Sequence, residues 1–337
     1  MTSFAGSLLG SRFWIPAYVC FFLGFVIPGQ WENLRVLVPL CLGGILYFTC
    51  LKLPLHEVVG AITDRQRWRQ VSWMTTVKLL ALPLIAWAIA LLVAPQWAPG
   101  VLLVCAMPAG LSSIAFTDIL KGNHVLALLL VLAGSILCPF SVPGLLLALG
   151  PSTHMDPIVV AERAVYILTL LAVPFMLAQL TRRCAHAFIV KHHSRWGAGA
   201  VISSCLLGLV SVLVNRDLWA AWEVSQLLAP LGLVCLLSAG ILAFGWWIQR
   251  AIGEHDAKAF TCGCAYMNNG LAIAFAVRFF HDDPTMVLPA VLMQIPMIGS
   301  VALIGQFGKQ PLPHALPPTK LTPAHAIERG SAPDPKA

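Results

Sequence analysis

The feature that most constrains this chain is a succession of ten apolar segments, each close to the length that crosses a lipid bilayer. A spanning helix needs about 20 predominantly apolar residues. Because lipid offers backbone N–H and C=O groups no hydrogen-bond partner, apolar segments of this length cross as helices. The pattern predicts an all-α integral membrane protein with about ten transmembrane helices, at 13–28, 34–53, 71–94, 99–120, 123–149, 157–180, 198–214, 223–249, 258–280 and 285–307.

The distribution of charge supports this prediction. Only 10% of the 337 residues are charged, whereas soluble domains average about 25%. Sixteen of the 21 Lys and Arg residues fall on one side of the ten segments and four on the other, with Lys78 inside the third segment. This bias predicts a bacterial-type inner (plasma) membrane protein with both termini in the cytoplasm. The net charge of +7 is spread over short loops, so we expect a lipid bilayer as partner and no nucleic acid.

The ten spans predict one transmembrane domain over residues 1–308. They divide into two repeats of five, about 13–149 and 157–307, and repeats with an odd number of spans have opposite orientations in the membrane. Such inverted repeats are common among secondary transporters. Residues 309–337 are rich in proline and polar side chains, which predicts a disordered cytoplasmic tail.

The fourth and ninth spans, which are equivalent in the two repeats, each contain an interruption rich in Pro, Gly or Asn. These interruptions are 107–113 and 266–270. Unwound backbone is tolerated at membrane depth only where it lines a cavity or is buried in protein, so two matching breaks predict a binding site. The predicted substrate-binding residues are Pro108, Ala109, Gly110, Ser112, Ser113, Asn268, Asn269 and Gly270.

At these breaks the sequence resembles the bile acid:sodium symporter family. The resemblance is carried by 107–113, by the turn 118–123, by 267–272 and by the closing span from Leu288 to Gln294. It implies a fold shared with sodium/proton antiporters, with a panel domain, a core domain, and broken helices 4 and 9 crossing near the bilayer midplane. It also implies sodium-coupled uptake of organic anions. The half-helix N-termini at such a crossing carry positive dipole ends, which suit an anionic group.

The sequence departs from the family at the positions that the resemblance assigns to sodium. Gly263 stands where the family has a carboxylate, and Met267, Ile114, Ala127 and Val131 stand where it has amide or hydroxyl side chains. Sodium without its water needs several oxygen ligands. We therefore expect Na⁺ to bind weakly at most, through backbone carbonyls, and we expect no other cofactor.

Lys78, five residues before Pro83, occupies a position where the family tends to have a glutamine that contributes to a cation site. A lysine at the centre of a membrane helix costs about 2.5–3.5 kcal/mol on insertion scales. One hypothesis is that its ammonium replaces the bound cation, with Asp118, one turn beyond Ile114, as its partner. The other is that the side chain snorkels to the cytoplasmic surface. The sequence leaves both open.

These observations predict a secondary transporter of a small organic anion that works by alternating access, with coupling to sodium, to protons through Asp118, or to neither. One alternative is an efflux permease for arsenite or another oxyanion, with Cys105 as a thiolate ligand. The other is a membrane sensor or enzyme that keeps the fold without transport. No catalytic triad, nucleotide-binding loop or metal-ligand spacing is present, so we expect neither an enzyme nor a metal site.

Overall fold

The structure is a computed structural model that describes residues 14–53, 65–149, 157–220 and 223–307. In these ranges the chain is almost entirely helical, and its extended pairing is an isolated bridge between Ala109 and Met267. The helices group into ten segments that follow the ten predicted spans in order. The predicted tail, 309–337, lies outside the described residues.

The segments keep the order of the predicted spans, and the fourth, ninth and tenth are each divided into two helices. They are α1 (Trp14–Val26), α2 (Leu37–Cys50), α3 (Arg65–Thr76, a π-helical turn Val77–Ala81, and Leu82–Val93), α4a (Ala98–Ala106), α4b (Ser112–Ile119), α5 (His124–Leu149), α6 (Pro157–Cys184), α7 (His193–Leu213), α8 (Val224–Ile252), α9a (Glu254–Ala265), α9b (Asn269–Phe279), α10a (Pro284–Leu292) and α10b (Gln294–Phe307). Short helices at Glu32–Val36, Pro95–Trp97, His186–Lys191 and Arg216–Ala220 lie between them.

The length and surface of these helices are those of a multi-pass membrane protein. Six continuous helical stretches, one of which joins Glu32–Val36 to α2, have at least 18 residues and are apolar enough to cross a bilayer. The remaining segments are built from shorter helices. Large apolar side chains lie on the outer surface, including Leu92 (86% exposed), Ile158 (75%) and Phe140 (73%). An outer surface of this kind is unfavourable in water and matches lipid.

The helices pack as two groups, as the predicted panel and core require. In the first group α7 packs against α1 and α2, and α6 packs against α2. In the second, α4a packs against α3, α5 and α10a, while α9a packs against α4b, α5 and α8. The two broken segments are thus both in the second group, which we call the core, and the first group is the panel.

A polar network joins three elements of the core at the end where α4b finishes. Asn123, in the turn between α4b and α5, accepts a 3.1 Å hydrogen bond from Arg67 of α3 and donates a 2.6 Å bond to Asp256 of α9a. Gln70 of α3 donates a 2.7 Å bond to the other oxygen of Asp256. Because α3, the α4b–α5 turn and α9a share one network, they are held together as a unit.

Candidate functional site

The two interrupted helices cross through an antiparallel backbone contact. The amide of Gly110 donates to the carbonyl of Tyr266 at 2.8 Å, and the amide of Asn268 donates to the carbonyl of Pro108 at 2.7 Å. Met107, just before the proline, is extended with φ −65° and ψ 146°, because a residue that precedes proline is disfavoured in the helical region. The crossing of broken helices 4 and 9, predicted from the sequence, is confirmed.

Gly110 is the residue that lets the two chains approach. An ideal Cβ at this position would lie 3.0 Å from the carbonyl oxygen of Tyr266 and 3.3 Å from that of Met267. Any side chain would therefore press on the backbone that accepts the hydrogen bond of Gly110. The crossing depends on the missing Cβ rather than on an unusual dihedral angle.

The second half-helix, α9b, begins with two asparagines that have different roles. Asn268 caps the helix, since its side-chain oxygen accepts a 3.2 Å hydrogen bond from the amide of Leu271. The Asn269 side-chain nitrogen donates a 2.9 Å bond to the carbonyl of Ala290 in α10a. That carbonyl fixes the orientation of the amide, because reversing it would place two oxygens together.

Two buried polar atoms near the starts of α4b and α9b have no hydrogen-bond partner among the described residues. They are the side-chain oxygen of Asn269 and the hydroxyl of Ser113, which is fully buried near the start of α4b. Buried polar groups are satisfied in most proteins, so each exception needs an explanation. Both lie where the N-termini of α4b and α9b meet, and those termini carry partial positive charge. The crossing is thus a polar, electropositive place in an otherwise apolar core.

A cavity of about 470 Å³ extends from the crossing along the interface between panel and core. One wall is a stripe with helical spacing along α2 and the turn that follows it, from Leu42 to Lys52. Another wall is a stripe of α7, from Gly197 to Leu207. Leu42 and Leu207 both contact Gly270 at the crossing. Ten residues of helix separate the two ends of each stripe, so the cavity is about 15 Å long. Its volume is that of a small-molecule site.

The cavity brings together most of the predicted substrate-binding residues. Gly110, Ser112, Asn268, Asn269 and Gly270 line it. Pro108 and Ala109 form the crossing behind it, and Ser113 is buried behind α4b rather than in the wall.

Four polar residues of the wall were not predicted: Thr49, Lys52, Ser204 and Gln294. Thr49 and Lys52 belong to the α2 stripe, and Ser204 belongs to the α7 stripe. Their three- and four-residue spacing within apolar helices is a signal that the sequence does carry. Gln294 lies where α10a ends and α10b begins, and it donates a 3.1 Å hydrogen bond to the hydroxyl of Ser211 in α7.

Lys78 lies in the π-helical turn of α3 and is 5% exposed. Its ammonium donates a 2.8 Å hydrogen bond to the carbonyl of Cys105, in the last turn of α4a. The side chain is therefore buried beside the crossing and does not extend to the membrane surface. Carbonyls at a helix C-terminus carry partial negative charge and coordinate cations in broken transporter helices.

Asp118 is not the partner of Lys78, and that expectation was wrong. The carboxylate of Asp118 is 52% exposed and lies 2.8 Å from the ring of His124, the first residue of α5. α4b ends at Ile119, so Asp118 belongs to its last turn, at the surface end. The buried acceptor for Lys78 is a backbone carbonyl. Because every residue has one, the sequence does not indicate which carbonyl accepts this hydrogen bond.

The positions that the resemblance assigns to sodium are occupied by buried apolar residues. Ile114, Ala127, Val131 and Met267 are all at most 8% exposed. Gly263 lies beside Lys78 in the wall of a second cavity of about 10 Å³, the room that one water molecule needs. The other residues of that wall are Thr75, Ala109, Leu130, Gly134, Phe260 and Cys264. Lys78 thus lines the same small cavity as Gly263, the position at which the resemblance implies a carboxylate.

In the part of the chain that the structure describes, the cysteine side chains do not form a site that could bind arsenite or a metal ion through thiolates. Cys105 is buried in α4a, and no group of three or more His, Cys, Asp or Glu side chains is arranged there to hold a metal ion. Cys105 belongs to no such group, so the arsenite alternative gains no support.

Comparison with known proteins identifies a transporter family and relatives named as transporters. The sequence model of the SBF-like CPA transporter family matches residues 45–305. The chain is 27% identical over 256 residues to "Probable sodium/metabolite cotransporter BASS2, chloroplastic" of Oryza sativa subsp. japonica, covering 71% of this chain and 58% of that protein. It is 26% identical over 256 residues to YfeH of Escherichia coli (strain K12), provisionally named a symporter, covering 72% and 76%. An uncharacterised protein of Pseudomonas aeruginosa is 27% identical over 287 residues, covering 79% and 83%.

Proposed function

The chain belongs to the SBF-like CPA transporter family, and we propose that it carries a small organic anion across the membrane by alternating access at the helix crossing. Family membership supports secondary transport, as do the two relatives that carry functional names, a cotransporter and a symporter. The anionic nature of the substrate and the coupling rest on the geometry of the site.

The observation that carries the proposal is the cavity of about 470 Å³ whose inner end is the crossing. There the N-termini of α4b and α9b approach each other, and Ser112, Asn268 and Asn269 contribute polar side chains. Helix N-termini bind carboxylate, sulfonate or phosphate groups through their free N–H groups and positive dipole ends. Most other residues of the wall are apolar, so an anionic head with an apolar body fits the site.

The position of the cavity supports alternating access by relative movement of panel and core. The α2 and α7 walls belong to the panel, and α4b and the crossing belong to the core. The network of Asn123 and Asp256 keeps the core elements together, so a rotation of the core against the panel closes the cavity without breaking the crossing. Rigid-body movement of this type around a fixed site is common in transporters with broken helices.

Lys78 supports a mechanism in which sodium is not required. Its ammonium already occupies the carbonyl end of α4a, and Gly263 lacks the carboxylate that a sodium ion would need. A bound cation in such a site stabilises the crossing and offsets the charge of the anion. A covalently attached ammonium supplies the same charge without an ion gradient.

Orientation follows from the distribution of Lys and Arg. We infer that the Lys52 end of the cavity faces the cytoplasm of a bacterial-type inner membrane, because sixteen of the 21 basic residues are on that side. The described cavity then belongs to an inward-facing state.

The test is binding by the purified full-length protein, followed as a shift in melting temperature. A series of organic carboxylates and sulfonates is compared with amides and amines of the same carbon skeleton. A ligand at a hundredfold excess over its Kd adds about 2.7 kcal/mol to the stability of the folded state. Stabilisation by the anions alone is expected, and stabilisation by amines but by no anion would contradict the proposal.

A further inference from the structure

Among the described residues that line the cavity, Lys52 is the one with a charged side chain. It lies two residues beyond the end of α2, at the opposite end of the cavity from the crossing, and its side chain is exposed. Its ammonium lies over Gly197 at the start of α7, where an ideal Cβ would be 3.0 Å from it. The side chain thus extends from α2 to α7 across the mouth of the cavity.

Lys52 is not needed to cap the helix that precedes it. A lysine near a helix C-terminus often bonds the last carbonyls. Here α6 supplies that function, since Arg182 donates a 2.7 Å hydrogen bond to the carbonyl of Leu51 and Gln179 donates a 3.2 Å bond to that of Leu53. Side chains of α6 thus bind the backbone on either side of Lys52, and the ammonium of Lys52 lies at the cavity instead of capping α2.

The cavity therefore has two electropositive ends with largely apolar walls between them. The inner end is formed by the N-termini of α4b and α9b, and the outer end is the ammonium of Lys52. Along α2 the two ends are separated by the rise from Leu42 to Lys52, about 15 Å. Ile45 and Leu46 line α2 between them, and Phe116 faces them from the core.

We propose that Lys52 binds a second anionic group, and that the transported compounds are elongated dianions with a negative group at each end of an apolar body. This inference rests on the proposed function, because it takes the crossing as the site of the first anionic group. Lys52 then determines specificity by selecting the length and the second charge of the substrate. A partly exposed ion pair of this kind strengthens binding by up to about fivefold.

The experiment compares α,ω-dicarboxylates of increasing length, from succinate to dodecanedioate, with monocarboxylates of the same chain lengths. Their Kd values for purified full-length protein are measured from ligand-induced shifts in melting temperature. Wild type is compared with Lys52→Gln, Lys52→Arg and the control Lys191→Gln, whose lysine is on the same side and does not line the cavity.

In the wild type we expect tighter binding of a dicarboxylate than of its matched monocarboxylate once the chain is long enough to reach from the crossing to the mouth. Lys52→Gln should abolish that preference, so that a dicarboxylate binds no more tightly than its matched monocarboxylate, while Lys52→Arg and Lys191→Gln should keep it. A preference that persists in Lys52→Gln, or wild-type binding of monocarboxylates with no gain for dicarboxylates, would overturn the inference alone. Failure of both series to bind would overturn the proposed function as well.

Discussion

The ammonium of Lys78 donates a hydrogen bond of 2.8 Å to the carbonyl oxygen of Cys105, which joins the π-helical turn of α3 to the last turn of α4a. π-helical turns inside α-helices are frequently found at functional sites. Within the described residues, the hydrogen-bond acceptor of this buried lysine is a neutral carbonyl rather than a carboxylate. The side-chain nitrogen of Lys78 is therefore located beside the crossing without a structural ion pair to account for it.

Substitution of Lys78 should separate function from stability. Lys78→Met keeps the length of the side chain and removes a buried ionic group, and such replacements are often neutral or stabilising. We expect an unchanged or higher melting temperature together with loss of anion transport in proteoliposomes. Lys78→Gln should abolish transport or make it ion-dependent. Transport and ion dependence equal to wild type in both variants would show that the ammonium has no role at the site.

A sodium site should be recoverable by restoring the missing carboxylate. An ideal Cβ on Gly263 makes only ordinary contacts, 3.7 Å from Ala109 and from Leu130. In the double variant Gly263→Glu/Lys78→Gln, the new carboxylate lies in a small buried cavity and needs a counter-ion. We expect its melting temperature to be higher in sodium than in choline at equal ionic strength, with no such difference in the wild type. Equal melting in the two salts for the double variant would count against the equivalence of Lys78 and sodium.

Asn268 offers a test in which stability and charge are separated. Aspartate and serine are both good N-cap residues, so Asn268→Asp and Asn268→Ser should keep the cap on α9b and melt close to the wild type. Asn268→Asp places a negative charge at the proposed site of the substrate anion. We expect at least about a tenfold weaker anion affinity for Asn268→Asp and a much smaller change for Asn268→Ser. Equal anion affinity in the two variants would place the anion elsewhere.

Gly110 should be intolerant of any side chain. Gly110→Ala places a Cβ 3.0 Å from the Tyr266 carbonyl, and overpacking of this kind costs about 1–3 kcal/mol. Gly144→Ala in α5 is the matched control, because nothing lies within 4 Å of its ideal Cβ. Melting temperatures should fall for the first variant and stay the same or rise for the second. Similar melting temperatures for both would contradict the close crossing.

The number and order of the helices could be predicted because lipid imposes a length and a composition on every span. The two breaks were predictable because Pro108, Gly110 and Asn268 are poor interior helix residues. The predicted helix boundaries were less exact where a helix extends beyond the apolar segment. α3 begins at Arg65, six residues before the predicted start of its span, since hydropathy does not register a helix that continues into water.

The partners of individual side chains could not be predicted. Lys78 binds a backbone carbonyl 27 residues away, and carbonyls are the same at every position. Asp118 was selected because it is acidic and follows Ile114, a position that the resemblance assigns to sodium, by one helical turn. It lies instead at the exposed end of α4b. The division of the tenth span at Met293 was also missed, and so was the place of Gln294, the next residue, in the cavity wall. Such details depend on how helices distant in sequence pack together.

The most direct measurement is uptake of a radiolabelled organic anion, selected by the melting screen, into proteoliposomes that contain wild-type protein. Uptake is measured with sodium or with choline as the only external cation, beside Asn268→Asp. The structure predicts equal uptake in the two salts and little uptake by Asn268→Asp. Strictly sodium-dependent uptake, or uptake unaffected by Asn268→Asp, would contradict an anion site at the crossing in which Lys78 replaces the bound cation.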